Sequence, residues 1–329
     1  MTQKTNRVAV VGAGEFGRNH VRVWRELEGI ELAGIVDTNG ERARQVAAES
    51  DTDVIRDLDA LAAAGIDAVS VAVPTKEHAR VGCHLLDAGI DVLVEKPMAS
   101  SLEEAGRLIA SAQRSGRILQ IGHVERFNPA VAAAQKIVSR PMFFEVHRLG
   151  IFTPRSLDID VVYDVMIHDL DILLALVDAP VVDLKAVGIP VITDKVDIAH
   201  ARIEFQTGAV ANVTASRVST ERVRKMRFFQ EHEYISLDFA RQDALRIRVQ
   251  AGSPQPGIGF EKLAATPEEP LRAELRAFLD SVRTRKPPVV DGAAGRRNLE
   301  LADRVMAGIL EHAGRVQLGA TAPLPLEAR

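Results

Sequence analysis

A run of apolar β-formers, Val8-Ala9-Val10-Val11, leads straight into Gly12-Ala13-Gly14-Glu15-Phe16-Gly17, and a helical pattern follows from Phe16 to Leu27. Few features limit a fold as tightly. An unbroken apolar run reads as a strand covered on both faces, as in a parallel sheet. Gly12 then permits the tight turn, Gly14 lets a pyrophosphate approach the backbone, and Gly17 lets helix and strand pack closely. The helix start offers N–H groups and a partial positive charge to the phosphates. Glycines also mark ordinary turns. Here the strand before and the helix after supply the context that a dinucleotide site requires.

The second strand, Glu31 to Asp37, ends in an acidic residue twenty positions past Gly17. A carboxylate there can accept hydrogen bonds from the adenosine ribose hydroxyls. A 2′-phosphate would meet like charge, so NAD is expected over NADP. The plain alternative for Asp37 is a strand-end turn residue, and Arg42 nearby reads as a solvated helix residue. Strand-like and helical segments then alternate: a helix at 41–50, a short third strand at 53–55, a helix at 58–64, strands at 67–73, 91–94 and 117–121, and helices at 76–88 and 102–115. Such alternation means a doubly wound parallel sheet. The loop at Pro74-Thr75, with His78 just beyond it, sits at a strand's carboxyl end and so borders the cofactor crevice.

After about residue 123 the pattern changes. Residues 128–138 look helical, 141–150 extended and 161–177 helical, followed by strand-like runs at 181–189, 198–206, 209–216, 226–230, 233–239 and 244–250. Short turns such as Gln206-Thr207-Gly208 fit an antiparallel sheet. A Gly/Pro loop at 252–256, helices at 270–284 and 296–312, and a surface tail at 314–329 complete the chain. The expected organisation is a cofactor domain at 1–123 and an α+β domain at 124–329, the latter with a large, mostly antiparallel sheet and helices on one face. The 329 residues suit two domains, and a net charge of −4 does not suit a general nucleic-acid or anionic-membrane binder. One cysteine, Cys83, excludes an internal disulfide and a cysteine-built zinc site; it reads as an inert core thiol. A strand beginning near Arg7 leaves no room for a signal peptide, and no run of about 18 apolar residues exists. A cytoplasmic protein is expected.

Four segments can carry chemistry. Glu95-Lys96-Pro97 falls where a strand leaves the sheet, so its charged groups face the crevice; the proline fixes the backbone and the lysine brings a positive charge to a substrate oxygen. The alternative is a solvated loop ending. On the helix at 161–177, Tyr163, Ile167, Leu170, Leu174 and Val177 make an apolar stripe, and Asp164, His168 and Asp171 make a second stripe at the same spacing. A carboxylate one turn from an imidazole suits general acid–base work. A metal reading of His168 with two aspartates needs more ligands than the sequence offers. The third segment, Gly122-His123-Val124-Glu125-Arg126-Phe127-Asn128-Pro129, joins the two domains, where small-molecule sites are common; Arg126 and Asn128 are candidate substrate contacts. Arg148 and Arg155 flank an extended segment and match phosphate geometry, with surface solvation as the alternative.

Together these pieces resemble the family of glucose–fructose oxidoreductase, inositol dehydrogenase and MocA, over nearly the whole chain. The glycine loop, Asp37, Glu95-Lys96-Pro97 and the Asp164-x-x-x-His168 helix fall in the family's order and spacing. Within it, Gly17-Arg18-Asn19-His20-Val21-Arg22, the segment 122–129 and Met166-Ile167-His168-Asp169-Leu170-Asp171 look most like the UDP-N-acetylglucosamine 3-dehydrogenases. The resemblance implies a Rossmann domain holding NAD through Gly12, Gly14, Glu15, Phe16, Gly17, Asp37, Pro74, Thr75, His78, Glu95, Lys96 and Pro97. It implies Lys96 and His168 as catalytic residues supported by Asp164, a cis Lys96–Pro97 bond, and a dimer or tetramer formed through the antiparallel sheet. The implied reaction is oxidation of the C3 hydroxyl of a UDP-sugar for 2,3-diamino sugars of lipid A, with an aminotransferase as possible pathway partner. Oxidation of another substrate (an inositol, or UDP-N-acetylglucosaminuronate), an NAD-retaining glycoside hydrolase and a non-catalytic NAD sensor are the competing readings.

Overall fold

The apolar runs of the first third of the chain become the strands of one sheet. In the computed structural model, which describes residues 5–154, 157–250 and 257–316, the elements are β1 (Asn6–Val11), α1 (Glu15–Glu26), β2 (Ile30–Val36), α2 (Gly40–Glu49), α3 (Leu58–Ala63), β3 (Ala68–Val71), α4 (Thr75–Asp87), β4 (Asp91–Glu95), α5 (Leu102–Ser115) and β5 (Leu119–Gly122). The strand order is β2-β1-β3-β4-β5, with every pairing parallel. Polar caps set the helix starts. Asn39 accepts the Glu41 and Arg42 N–H groups, Asp57 that of Ala60, and Ser101 that of Glu104. The chain passes from β1 to β2 on one side and returns to β3 on the other, so the carboxyl ends of β1 and β3 border the switch point where doubly wound sheets bind ligands.

The expected third strand at 53–55 is reduced to one bridge, Val54 to Ile35. Asp53 and Ile55 do bond the Ile35 backbone, but the segment is too short to continue the ladder. The structure also carries the first unit beyond the expected boundary at residue 123. It comprises Met1–Phe127 together with Glu268–Leu299. In the returning segment, α8 (Pro270–Thr284) buries Leu275, Phe278 and Leu279 in one cluster with Val21, Val23 and Trp24 of α1. An amphipathic helix shows that it has an apolar face without showing which core takes it.

The second unit comprises Asn128–Pro267 and Glu300–Arg329. It holds α6 (Pro129–Gln135), β6 (Phe143–Leu149), α7 (Ile167–Val177), β7 (Val181–Ile189), β8 (Ile198–Phe205), β9 (Val210–Ser216), β10 (Val223–Gln230), β11 (Glu233–Asp238), β12 (Asp243–Gln250) and β13 (Gly257–Lys262), and α9 (Gly292–Arg315) enters it at Glu300. The order is β13-β12-β11-β10-β6-β9-β8-β7, with β6 and β9 parallel and the other pairs antiparallel. Alternation is clean: along β6, Phe144, Val146 and Arg148 are buried and their neighbours are not. The buried faces of β6 and β8 to β11 pack against α6, α7 and the later part of α9 in one core. Among the described residues, no helix is long and apolar enough to cross a membrane.

Candidate active site

The glycine loop has the geometry that a diphosphate needs. Gly12 has φ +99°, and a Cβ there would lie 2.4 Å from the Ala72 carbonyl oxygen; a Cβ on Gly17 would lie 1.7 Å from that of Gly12. Both positions are closed to a side chain. Around Gly14, a Cβ would meet nothing within 4 Å. That is an open cradle at the start of α1, where no side chain caps the helix, and such a terminus suits an anion. Asp37 closes the loop from the end of β2: its Oδ2 accepts the Ala13 N–H at 2.6 Å and its Oδ1 accepts the Asn39 N–H at 2.7 Å. Arg42, read from sequence as solvated, instead donates to both carboxylate oxygens, at 3.1 Å from Nε and 2.8 Å from Nη2. Burial opposes the charge on Asp37, but the bonds from Arg42, Ala13 and Asn39 outweigh it and hold the carboxyl below its usual range.

A cavity of about 610 Å³ opens here. Gly12, Gly14, Glu15, Phe16, Asp37 and Pro74 line it, as expected from sequence, and Arg42, Lys76 and Arg80 were missed. Gly17, Thr75, His78, Glu95, Lys96 and Pro97 do not line it. His78 is buried, with Nδ1 2.8 Å from the Pro97 carbonyl and Nε2 2.9 Å from the Val73 carbonyl. Burial keeps its pKa below the ordinary value although both carbonyls favour the charged ring. It ties the loop after β3 to the turn after β4. That turn contains the cis Lys96–Pro97 bond expected from the resemblance. Lys96 is half-buried there. Glu95 beside it meets His20 of α1, Nε2 to Oε1, at 2.9 Å. Desolvation opposes the Glu95 charge, and the His20 bond with the Lys96 charge nearby keeps the carboxyl below its usual range. Cys83 is half-buried rather than fully in the core, and burial pushes its thiol pKa up, away from nucleophilic use.

In the second unit, the helix expected across 161–177 is interrupted. Val162–Met166 form a π-turn, and the α-helical part begins at Ile167. Asp164 lies on the π-turn and His168 on the first turn of α7; both are half-buried. Such turns recur at functional sites. Tyr163, next to Asp164, donates its hydroxyl to Asp303 Oδ1 at 2.7 Å, and burial with that contact pushes its pKa up. Asp171, which the spacing placed on the stripe with Asp164 and His168, is 1% exposed. No group of three or more His, Cys, Asp or Glu among the described residues is placed to hold a metal ion.

Two expected substrate contacts have internal partners. Arg148 is buried, pairs with Asp169 through Nε and Nη2 at 2.8 Å each, and lies over the Phe239 ring at 4.9 Å. The alternation of β6 was the overlooked signal: Arg148 shares the face of Phe144 and Val146. Asn128 caps α6, with Oδ1 accepting the Ala130 N–H at 3.1 Å and Nδ2 donating to the Phe239 carbonyl at 3.0 Å. Arg126 is half-buried on a 3₁₀ turn at Val124–Phe127, and Arg155 lies outside the described residues.

A parallel sheet with this glycine loop, acidic strand end and open cradle defines an NAD-binding oxidoreductase of the Rossmann type. Residues 6–123 match the family described as "Oxidoreductase family, NAD-binding Rossmann fold", and residues 139–235 match the "GFO/IDH/MocA C-terminal domain". The chain belongs to the GFO/IDH/MocA family. It is 40% identical to the UDP-N-acetylglucosamine 3-dehydrogenase of Acidithiobacillus ferrooxidans, over 92% of this chain and 97% of that one. A solved structure of that enzyme matches with a TM-score of 0.87 over the same shares. The scyllo-inositol 2-dehydrogenase (NAD(+)) of Bacillus subtilis is 30% identical over 65% of this chain and 68% of its own. A levoglucosan dehydrogenase in complex with NADH and levoglucosan shares the fold at 18% identity, with a TM-score of 0.83 over 93% of this chain and 97% of that one.

Proposed function

We propose that this chain oxidises the C3 hydroxyl of UDP-N-acetylglucosamine with NAD, giving the 3-keto sugar for 2,3-diamino sugar and lipid A synthesis. The observation that carries the reading is the 40% identity, over 92% of the chain, to an enzyme of that activity. The chain's own residues supply the chemistry. Gly14 and the start of α1 receive the diphosphate of the cofactor, and Asp37 receives the adenosine ribose. Bound NAD supplies the hydride acceptor. His168, oriented by Asp164, takes the proton of the hydroxyl group. Lys96 supplies a positive charge that stabilises negative charge developing on a substrate oxygen. The half-buried setting of Lys96 and His168 limits competing water, which strengthens both interactions. Arg126 is retained as a contact for the nucleotide sugar. The product is a ketone, so an aminotransferase acting on a 3-keto sugar is the fitting next enzyme.

The test is incubation with NAD and UDP-N-acetylglucosamine, with and without glutamate and a transaminase, following NADH absorbance. NADH formation that rises when the ketone is removed supports the reading. Turnover of an inositol or of UDP-N-acetylglucosaminuronate, with none of UDP-N-acetylglucosamine, would replace it.

A further inference from the structure

The turn that presents Lys96 is gripped from two sides by histidines that line no cofactor cavity. On one side His20, 1% exposed, holds Glu95 Oε1 at 2.9 Å, while Glu95 Oε2 accepts the backbone N–H of Lys96 at 3.3 Å. The carboxylate thus bridges a helix side chain and the amide of the lysine itself. On the other side His78 holds the Pro97 carbonyl. The carboxylate has little room to swing: a Cβ placed on Gly122 would lie 2.9 Å from Oε1 and 3.0 Å from the Glu95 Cα. A carboxylate only accepts hydrogen bonds, so His20 carries its proton on Nε2 where it faces Glu95. His20 lies one turn past Gly17, so the helix that receives the diphosphate also sets the carboxylate beside the lysine.

We propose that His20 is a positioning residue for Lys96, acting through the Glu95 carboxylate that its Nε2–H anchors. The ring is buried and lies outside the lining of the cavity at the glycine loop. It fixes where the negative charge sits next to the lysine, and so how the lysine meets the substrate oxygen. The proposal rests on Lys96 as the catalytic lysine, and it adds that a donor at position 20, not the bulk of the ring, is what the site requires.

His20→Met removes the donor at similar volume, whereas His20→Gln keeps an N–H donor near the place of Nε2. Two readouts are taken. The first is the rate at which Lys96 is acetylated by acetic anhydride, measured by mass spectrometry without any sugar present; it stands whether or not UDP-N-acetylglucosamine is the substrate. The second is kcat together with the NAD dissociation constant. In His20→Met, we expect the labelling rate to change by about threefold or more and kcat to fall by about tenfold or more, with NAD binding held within about threefold. His20→Gln restores both readouts. Gly122→Ala, which crowds the carboxylate without touching His20, reproduces the labelling change and serves where His20→Met does not fold. Wild-type labelling and kcat in His20→Met would overturn the proposal, as would equal losses in the Met and Gln variants. If the wild-type enzyme oxidises no UDP-sugar while the labelling pattern holds, the substrate reading fails and the role of His20 stands.

Discussion

Asp197 shows how much one side chain organises in the second unit. Its side chain is fully buried and its Oδ2 accepts the N–H groups of Val191, Ile192 and Thr193 at 2.7–2.9 Å. Oδ1 accepts the Thr193 hydroxyl and Arg217 Nε, and Arg217 Nη1 reaches the Ile159 carbonyl at 2.6 Å. Val196 donates to Asp160 Oδ1, and Val161 donates to the Val196 carbonyl. The node therefore braces the residues that lead into the turn bearing Asp164. Burial opposes the charge, but the three N–H groups and Arg217 hold the Asp197 carboxyl well below its usual range. A carboxyl with a depressed folded-state pKa contributes stability above the unfolded value of about 3.9, and that stability is lost as pH falls further. Asp197→Asn leaves Arg217 buried beside a neutral group, which costs about 3–5 kcal/mol. The urea midpoint is expected to drop at pH 7, and the difference from wild type to narrow as pH falls below about 4. A difference that stays constant across that range would remove the charge from the explanation.

At the scale of elements, the π-turn at Val162–Met166 sets how Asp164 is turned relative to His168, the pair proposed to handle the proton. It adds one residue to a turn, and each residue of a helix rotates the following faces by about 100°. Deleting Val165 lets the segment continue as an α-helix, with Asp164 rotated relative to His168. Activity should fall by about 100-fold or more, with helix content by circular dichroism retained; near-normal turnover would show that the turn does not set the pair. The other strong element is α8. Phe278 meets the ring of Trp24, the one tryptophan of the chain, edge-on at 6.4 Å. Phe278→Ala should cost about 3–5 kcal/mol and shift the Trp24 emission to the red; an unchanged spectrum and midpoint would place the contribution elsewhere. These cases separate what sequence shows from what it hides. The strands around Val8–Val11 and the helix at Leu102–Ser115 were legible because apolar period and capping residues agree there. The π-turn was hidden because its side chains keep nearly the spacing of an α-helix. Strand β13 was hidden because Gly257–Lys262 has no buried face to impose alternation. The candidate site was legible where backbone chemistry dictates residue type, at Gly12, Gly17 and the cis Lys96–Pro97 bond. It was not legible at Arg148 and Asn128, whose partners Asp169 and Phe239 lie far along the chain, and His20 was read only as part of a motif, with no role, for the same reason.

At the scale of the whole molecule, the open face of the eight-stranded sheet asks for a partner. Phe144, Phe228 and Ile235 are fully buried in the core, so alternation turns their neighbours Phe143, Phe229 and Tyr234 to the other face. Register extends that row across five strands: Phe143 opposite Phe229, Phe229 opposite Tyr234, Tyr234 opposite Ile247, and Ile247 opposite Phe260. The rings meet along it, Phe143 and Phe229 stacked with centroids 5.7 Å apart and Phe229 and Tyr234 tilted at 5.2 Å. Toward the β13 edge the row grows more exposed, reaching 71% at Phe260 beside Ile258 at 67%. A contiguous apolar row of this kind marks an interaction surface, and covering each large side chain contributes about 1.5–3 kcal/mol. A second copy of the chain is the expected partner, because a two-fold axis through a sheet face would set the same aromatic patch against itself. The chain is therefore expected to be a homodimer or homotetramer through this face. Tyr234→Glu with Phe260→Glu would bury like charges against each other on association, and should raise the dissociation constant about 100-fold or more. Light scattering at micromolar concentration should then report a monomer that keeps its circular dichroism. An unchanged molar mass in the double variant would assign the interface to another surface.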